Sequence, residues 1–173
     1  MAFVVRARVA GMLGDNIDTD IIYPARYLNL FSPDEVRSHL FEDVDPSLVQ
    51  KAAAGGAILG GENFGCGSAR EQGLTALKYA GVGILICKSY SRAFFRNGIN
   101  HAVPLFIADC PETMETITSL GDELEADFET GLLRNLSTGN NFSCSPTHPF
   151  LLEVLKVGGI HEYYLHKQKG AES

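Results

Sequence analysis

The chain has 173 residues, a formal net charge of −7, a pI near 5.2 and 45% hydrophobic residues, which fits one globular domain spanning residues 1–173. The acidic balance excludes a nucleic-acid surface, which normally carries a basic stripe. Because no apolar run approaches the roughly 20 residues of a membrane span and the N-terminus lacks a signal-peptide pattern, we expect a cytoplasmic protein with no membrane partner.

Hydrophobic periodicity predicts an α/β fold. The central element is a βαβ unit formed by a strand at 57–59, a helix at 69–80 and a strand at 82–87, whose strands should be parallel and joined by a right-handed crossover. Residues 169–173 read as a frayed tail. The other predicted elements are a strand at 3–9, helices at 33–41 and 46–55, a strand at 103–107, a helix at 112–120, short strands within 123–143 and a helix from 149 that Gly158 and Gly159 interrupt.

An acidic block, Asp15–Asp20, follows the first strand. Its density of carboxylates and turn formers is typical of a solvated loop. A calcium loop of the EF-hand type is excluded, because the block lacks a glycine at the sixth loop position and a glutamate at the twelfth.

The stretch Gly60–Gln72 is the strongest chemical signal in the sequence. Ser68 and Glu71 have the spacing of a capping box, which predicts that the helix starts at Ser68 and carries Arg70 on its first turn. A serine and an arginine at the positive end of a helix favour binding of a carboxylate or phosphate. A dinucleotide-binding fingerprint is broken, because Arg70 stands where its third glycine belongs.

The four cysteines are Cys66, Cys87, Cys110 and Cys144, and no two of them form a Cys-x-x-Cys pair. We therefore predict that this chain binds no metal of its own. Cys66 lies between two glycines and is either an apolar filler or the nucleophile of a cysteine amidohydrolase, with His101 or His148 as its base.

Three blocks together resemble a known family: Asp15–Asp20, Gly61–Gln72 and Lys88–Asn97. The family comprises the small subunits of 3-isopropylmalate dehydratase and related hydro-lyases, equivalent to the C-terminal swivelling domain of aconitase. The resemblance implies a swivelling β/β/α domain whose mixed sheet contains the parallel βαβ unit. It also implies a large-subunit partner, in a heterodimer or heterotetramer, that binds a [4Fe-4S] cluster through its own cysteines.

The resemblance also implies the site residues. The family's serine at the position of Ser68 is the base that exchanges a proton next to a carboxylate, and the arginine at Arg70 binds a substrate carboxylate. Ala69 stands where the family often has a second serine. Further substrate-binding residues implied by the matching blocks are Gly67, Ala69, Thr19 and Asp20.

Related enzymes differ in substrate at the loop after the acidic block, here Tyr27, Leu28, Asn29 and Leu30. Enzymes acting on tricarboxylates place an arginine there, whereas this chain has none between Arg26 and Arg37. A buried unpaired carboxylate costs several kcal/mol, so an apolar substituent fits better. We expect isopropylmalate, an intermediate of leucine biosynthesis. Citraconate or 2-methylmalate, dimethylmaleate and, if Arg26 swings inward, homoaconitate are the alternatives.

Overall fold

A single seven-stranded sheet organises the computed structural model, which describes residues 2–68 and 70–171. The strands are β1 (Val4–Met12), β2 (Ala57–Gly60), β3 (Ile84–Cys87), β4 (Leu105–Ile107), β5 (Glu123–Asp127), β6 (Leu132–Asn135) and β7 (Asn141–Ser143). The helices are α1 (Thr19–Ile22), α2 (Pro33–Ser38), α3 (Leu48–Ala52), α4 (Gln72–Tyr79), α5 (Arg92–Asn100), α6 (Met114–Ile117), α7 (Pro149–Val157) and α8 (Ile160–Ala171), with a 3₁₀ turn at Ala25–Tyr27. The strand order is β4-β3-β2-β1-β5-β6-β7.

Strand β1 joins a parallel half of the sheet to an antiparallel half. Residues 4–8 of β1 pair antiparallel with β5, and the register with β2, which is parallel, shifts between Val9 and Gly11. Such a bulge bends a strand and increases its twist. Strands β2, β3 and β4 continue the parallel half, and β5, β6 and β7 form an antiparallel meander. The predicted mixed α/β sheet with a parallel βαβ unit (β2-α4-β3) is confirmed.

The parallel strands are buried on both faces. Every residue of β2 and β3 is buried, as expected for strands covered by helices on both sides. Leu59 and Ile86 belong to one hydrophobic cluster with α7, whereas Ile58 and Leu85 belong to a second cluster with α2 and α4. The two clusters therefore cover opposite faces of the parallel strands.

Five helices differ from their predicted extents, and two of them, α2 (Pro33–Ser38) and α3 (Leu48–Ala52), are shorter than predicted. Helix α4 begins at Gln72, three residues later than predicted, and α6 is only four residues long because Thr118 is extended (φ −161°, ψ 166°). The last helix continues through Ala171, so the tail predicted to fray from Lys169 is helical as far as the described residues reach. In the described part of the chain, no helix is long and apolar enough to cross a membrane.

Candidate active site

The carboxyl ends of β1, β2 and β3 bring three loops together. The loops are residues 13–18, 61–71 and 88–91, which contain the three motif blocks or their beginnings. Carboxyl ends of neighbouring parallel strands are where α/β sheets bind ligands. The topology thus explains why motifs distant in sequence form one site.

Hydrogen bonds join the acidic loop to the glycine-rich loop along their length. Asp15 Oδ1 accepts from the Glu62 amide at 2.7 Å, and Asn63 Nδ2 donates to Asn16 Oδ1 at 2.9 Å. The amide of Gly65 donates to the Ile17 carbonyl at 2.8 Å. The acidic block is therefore hydrogen-bonded to the glycine-rich loop and is not the separate solvated loop that its composition predicts.

Gly67 is required where Asp18 of the acidic loop approaches the glycine-rich loop. Its φ is +88°, and a Cβ at this position would lie 2.6 Å from Asp18 Cγ. Asp18 in turn caps α1, because its Oδ1 accepts from the Asp20 amide at 2.8 Å. A glycine satisfies both the left-handed backbone and the close approach.

Two residues of α1 hold the predicted catalytic pair. Thr19 is buried, and its hydroxyl donates to the Ser68 carbonyl at 2.9 Å. The Asp20 carboxylate forms an ion pair with the Arg70 guanidinium through Nη1. Ser68 is exposed and Arg70 is half-buried, with a side-chain exposure of 29%. Gly67, Ser68, Arg70, Thr19 and Asp20 are thus in one place, whereas Ala69 lies outside the described residues.

The predicted capping box is wrong. The N-cap of α4 is Glu71, which has helical φ and ψ and makes no side-chain capping bond. Ser68 precedes the helix by four residues because its carbonyl is bound by Thr19 and by the Arg70 amide at 2.8 Å. Glu71 instead lies 3.6 Å from His101 Nε2. Because α4 begins at Gln72, Ser68 and Arg70 lie before the helix and not on its first turn, where the capping box would place them.

The segment that leads into the Tyr27–Leu30 loop lies beside α4. Tyr23, four residues before Tyr27, has its Cβ 3.9 Å from where a Cβ on Gly73 would stand. Tyr27 is half-buried and its hydroxyl donates to Glu42 Oε1 at 2.9 Å, while Asn29 is exposed. Leu28 and Leu30 are half-buried and pack against the cluster that contains Leu40 and Phe41.

The cysteines form no metal centre. Cys66 is half-buried, and the other three thiols are buried. Burial raises the pKa of Cys87 to about 12. Among the described residues no group of three or more His, Cys, Asp or Glu side chains could hold a metal ion, so these residues do not fit a [4Fe-4S] cluster.

No base for a Cys66 nucleophile is found among the described residues. His101 lies beside Glu71, and His148 caps α7, where its Nδ1 accepts from the Phe150 amide at 3.2 Å. A nucleophilic cysteine needs a base within hydrogen-bond reach. The cysteine amidohydrolase alternative is therefore not favoured.

This geometry, a mixed sheet with a glycine-rich loop locked to an acidic loop, is that of a known class of protein. Residues 10–109 match the Aconitase C-terminal domain family. The chain therefore belongs to this family, as a small-subunit member of its hydro-lyases.

Individual relatives agree with this assignment. The chain is 45% identical over 150 residues, 87% of its length and 88% of the relative's, to the 3-isopropylmalate dehydratase small subunit of Thermodesulfovibrio yellowstonii. It is 41% identical over 165 residues, 95% of its length and 93% of the relative's, to the methanogen homoaconitase small subunit of Methanothermobacter thermautotrophicus. The crystal structure of 3-isopropylmalate dehydratase (leuD) from Methanocaldococcus jannaschii matches with a TM-score of 0.86 and 34% identity, over 98% of each chain.

Sequence reasoning missed Asp18 and the partners of Arg26. Asp18 lies directly before α1, where an aspartate N-cap is common, so its capping role had a recognisable signal. The pairing of Arg26 with Glu42 and Asp43 has no such signal, because it spans 16 and 17 residues across a turn.

Proposed function

We propose that this chain is the small subunit of a 3-isopropylmalate dehydratase, which converts 2-isopropylmalate to 3-isopropylmalate in leucine biosynthesis in the cytoplasm. The observation that carries the proposal is an exposed Ser68 two residues before Arg70, whose guanidinium forms an ion pair with Asp20. The relatives named 3-isopropylmalate dehydratase small subunit supply the reaction class.

Arg70 is suited to grip one carboxylate of the substrate. A guanidinium carries five N–H donors in a planar fork. Asp20 contacts Nη1, and among the described residues no other partner uses the remaining donors. A substrate carboxylate can therefore bind the free edge while Asp20 keeps the guanidinium in place.

Ser68 is suited to move the proton. Its Oγ accepts the proton from the carbon next to the bound carboxylate, the electron pair of that C–H bond forms the C=C bond, and the hydroxyl group leaves from the neighbouring carbon. The reverse addition at the other carbon gives the isomer. The positive charge of Arg70 favours the ionised form of a neighbouring serine.

The large subunit must complete the site. The [4Fe-4S] cluster, which we assign to that subunit, supplies the Lewis acid for the departing hydroxyl. The name "small subunit" carried by the relatives supports a heteromeric enzyme. The exposure of Gly67 and Ser68 leaves this face of the chain accessible to such a partner.

The loop supports a substrate with an apolar substituent. Leu28 and Leu30 flank Asn29, and this loop contains no cation. Homoaconitate is the second candidate, because the methanogen homoaconitase small subunit matches a larger share of the chain than the first relative does. That substrate would need Arg26, whose guanidinium is bound by Asp43.

The test is Ser68→Ala in the enzyme reconstituted anaerobically with its large subunit. Assays should include 3-isopropylmalate, 2-methylmalate, citraconate, dimethylmaleate and homoaconitate. We expect turnover of isopropylmalate by the wild type, and loss of at least about 10²-fold in kcat with cluster spectrum and assembly unchanged, the usual effect of removing a general base. Ser38→Ala, which removes an exposed hydroxyl bonded to the Glu35 carbonyl, is the matched control. Substantial activity of Ser68→Ala would disprove the base assignment.

A further inference from the structure

A network of side chains joins the start of the substrate loop to the turn after α2. Its members are Arg26, Tyr27, His39, Glu42 and Asp43, which we call the tether. None of these contacts involves the site residues Ser68 and Arg70. The tether therefore needs an explanation of its own.

Arg26 is bound by two carboxylates. Its Nη1 and Nη2 donate to the two oxygens of Asp43 at 2.9 and 2.6 Å, and Nη2 also lies 3.1 Å from Glu42 Oε1. Its guanidinium carbon lies 4.8 Å from the centre of the Tyr27 ring. The bidentate bond uses one edge of the guanidinium fork. In this conformation the charge of Arg26 is balanced by the carboxylates of the turn after α2, and its guanidinium points toward that turn.

Glu42 connects the other members. Its Oε1 accepts from the Tyr27 hydroxyl at 2.9 Å, and its Oε2 bonds His39 Nδ1. The rings of Tyr27 and His39 stack with centroids 3.6 Å apart and planes at 14°. The hydrogen bond from His39, followed by that from Tyr27, lowers the pKa of Glu42, so this carboxylate stays ionised and keeps its acceptors.

The turn that carries these carboxylates is fixed to the core. Leu40 and Phe41 are fully buried, and the Phe41 amide donates to the Ile22 carbonyl at 2.9 Å. Tyr23 adds a hydrogen bond from its hydroxyl to the Tyr27 carbonyl at 3.0 Å. By contrast, Phe31 at the far end of the loop is 82% exposed. The start of the loop is thus fixed to the core.

We propose that Glu42 and Asp43 are positioning residues that determine substrate specificity. They hold Arg26 and Tyr27 in place, so that the loop presents no cation to the variable substituent of the substrate. This inference rests on the proposed function. A site that lacks a partner for an extra carboxylate discriminates against it, because the charge would be buried unpaired.

The test uses the reconstituted enzyme with Glu42→Gln and Asp43→Asn combined. Both changes keep the side-chain shapes and remove the charges that bind Arg26. We expect kcat/KM for homoaconitate to rise about tenfold relative to that for 3-isopropylmalate, the effect of one added charge-assisted hydrogen bond. The change should be lost when Arg26→Gln is added. Asp34→Asn removes a carboxylate that pairs with Arg37 on the exposed surface of α2, and is the matched control.

A second measurement does not depend on activity. Amide hydrogen exchange of residues 24–31 should be faster in the double variant, with exchange in α4 unchanged, and Tyr27→Phe should show a smaller effect because it removes only the bond to Glu42. Unchanged exchange together with an unchanged substrate ratio would overturn the proposal. Faster exchange with a substrate ratio within twofold of the wild type would overturn the specificity role.

Failure of the proposed function is recognised separately. If the wild-type complex turned over no hydroxy-diacid, the proposed function would fall, and the tether would be judged on exchange alone. Unchanged exchange would then refute the positioning role, and faster exchange confined to residues 24–31 would support it.

Discussion

Replacing Gly67 with alanine tests whether Asp18 holds the acidic loop against the glycine-rich loop. Alanine at a φ of +88° costs about 1–2 kcal/mol in backbone strain. Its Cβ would also stand 2.6 Å from Asp18 Cγ and force that carboxylate away from the Asp20 amide, and losing such a cap costs about 1 kcal/mol. The free energy of unfolding should fall by about 2–3 kcal/mol, which lowers Tm by roughly 4–12 °C for a chain of this size.

The chain supplies a matched control for the strain. Gly121 has a φ of +89°, and a Cβ there would meet nothing within 4 Å. Gly121→Ala therefore carries the backbone cost alone. Urea unfolding should show Gly67→Ala to be less stable than Gly121→Ala by about 1 kcal/mol, the value of the lost cap.

A double-mutant cycle with Asp18→Ala completes the test. Asp18→Ala alone removes the cap and should cost about 1 kcal/mol. In the Gly67→Ala background the carboxylate is already displaced, so the double variant should be no less stable than Gly67→Ala. Additive losses, or equal stabilities of Gly67→Ala and Gly121→Ala, would refute the claim that Asp18 occupies the space of the missing Cβ.

Three further predictions concern other parts of the chain. Arg70→Lys in the assembled enzyme should raise KM for the substrate about 10- to 100-fold, because a lysine cannot bind a carboxylate bidentately; an unchanged KM would contradict the carboxylate grip. The hydrogen bond from Arg6, followed by that from Arg134, lowers the pKa of the buried Glu125 carboxyl. The stability that this provides is present above the ordinary carboxyl pKa and is lost as the pH falls through the lowered pKa. Glu125→Gln should therefore reduce the loss of folding stability at acidic pH in a plot of unfolding free energy against pH. Iodoacetamide should alkylate Cys66 in the native chain and spare Cys87, Cys110 and Cys144, because these three thiols are buried. Burial also raises the pKa of Cys87 and of Cys144 to about 12. Peptide mass spectrometry of the native chain, compared with the unfolded chain, would check this.

The βαβ unit was predictable because its signals are local. Buried strands, a glycine stop at Gly81 and helical spacing in α4 all lie within one short segment, and the structure confirms them. The capping box failed for the opposite reason. Ser68 and Glu71 have the right spacing, but the hydroxyl of Thr19, 49 residues away in sequence, binds the Ser68 carbonyl and keeps it out of the helix. A long-range hydrogen bond overrode a local preference.

The orientation of the Arg26 side chain could not be predicted for the same reason. The sequence places Arg26 one residue before the predicted substrate loop but does not show which way its side chain points. Two carboxylates that follow α2 determine that direction, and they approach only because Leu40 and Phe41 are buried beside Ile22. The orientation of Arg26 is therefore a property of the packed core as much as of the residues in the loop.

The exposure of Ser68 is the strongest physical argument that the proposed chemistry needs a second chain. A serine acting as a base must be shielded from bulk water, because water would protonate its alkoxide and its high dielectric constant would weaken the electrostatic effect of Arg70. In the described part of the chain, Gly67 and Ser68 are exposed, and nothing covers them. The loop is nevertheless held at several points by the acidic loop and by Ser91, whose Oγ donates to the Gly65 carbonyl at 2.6 Å. An exposed Ser68 on a fixed loop supports the proposal of a cluster-bearing second subunit, because such a partner would supply the enclosure and this chain the geometry.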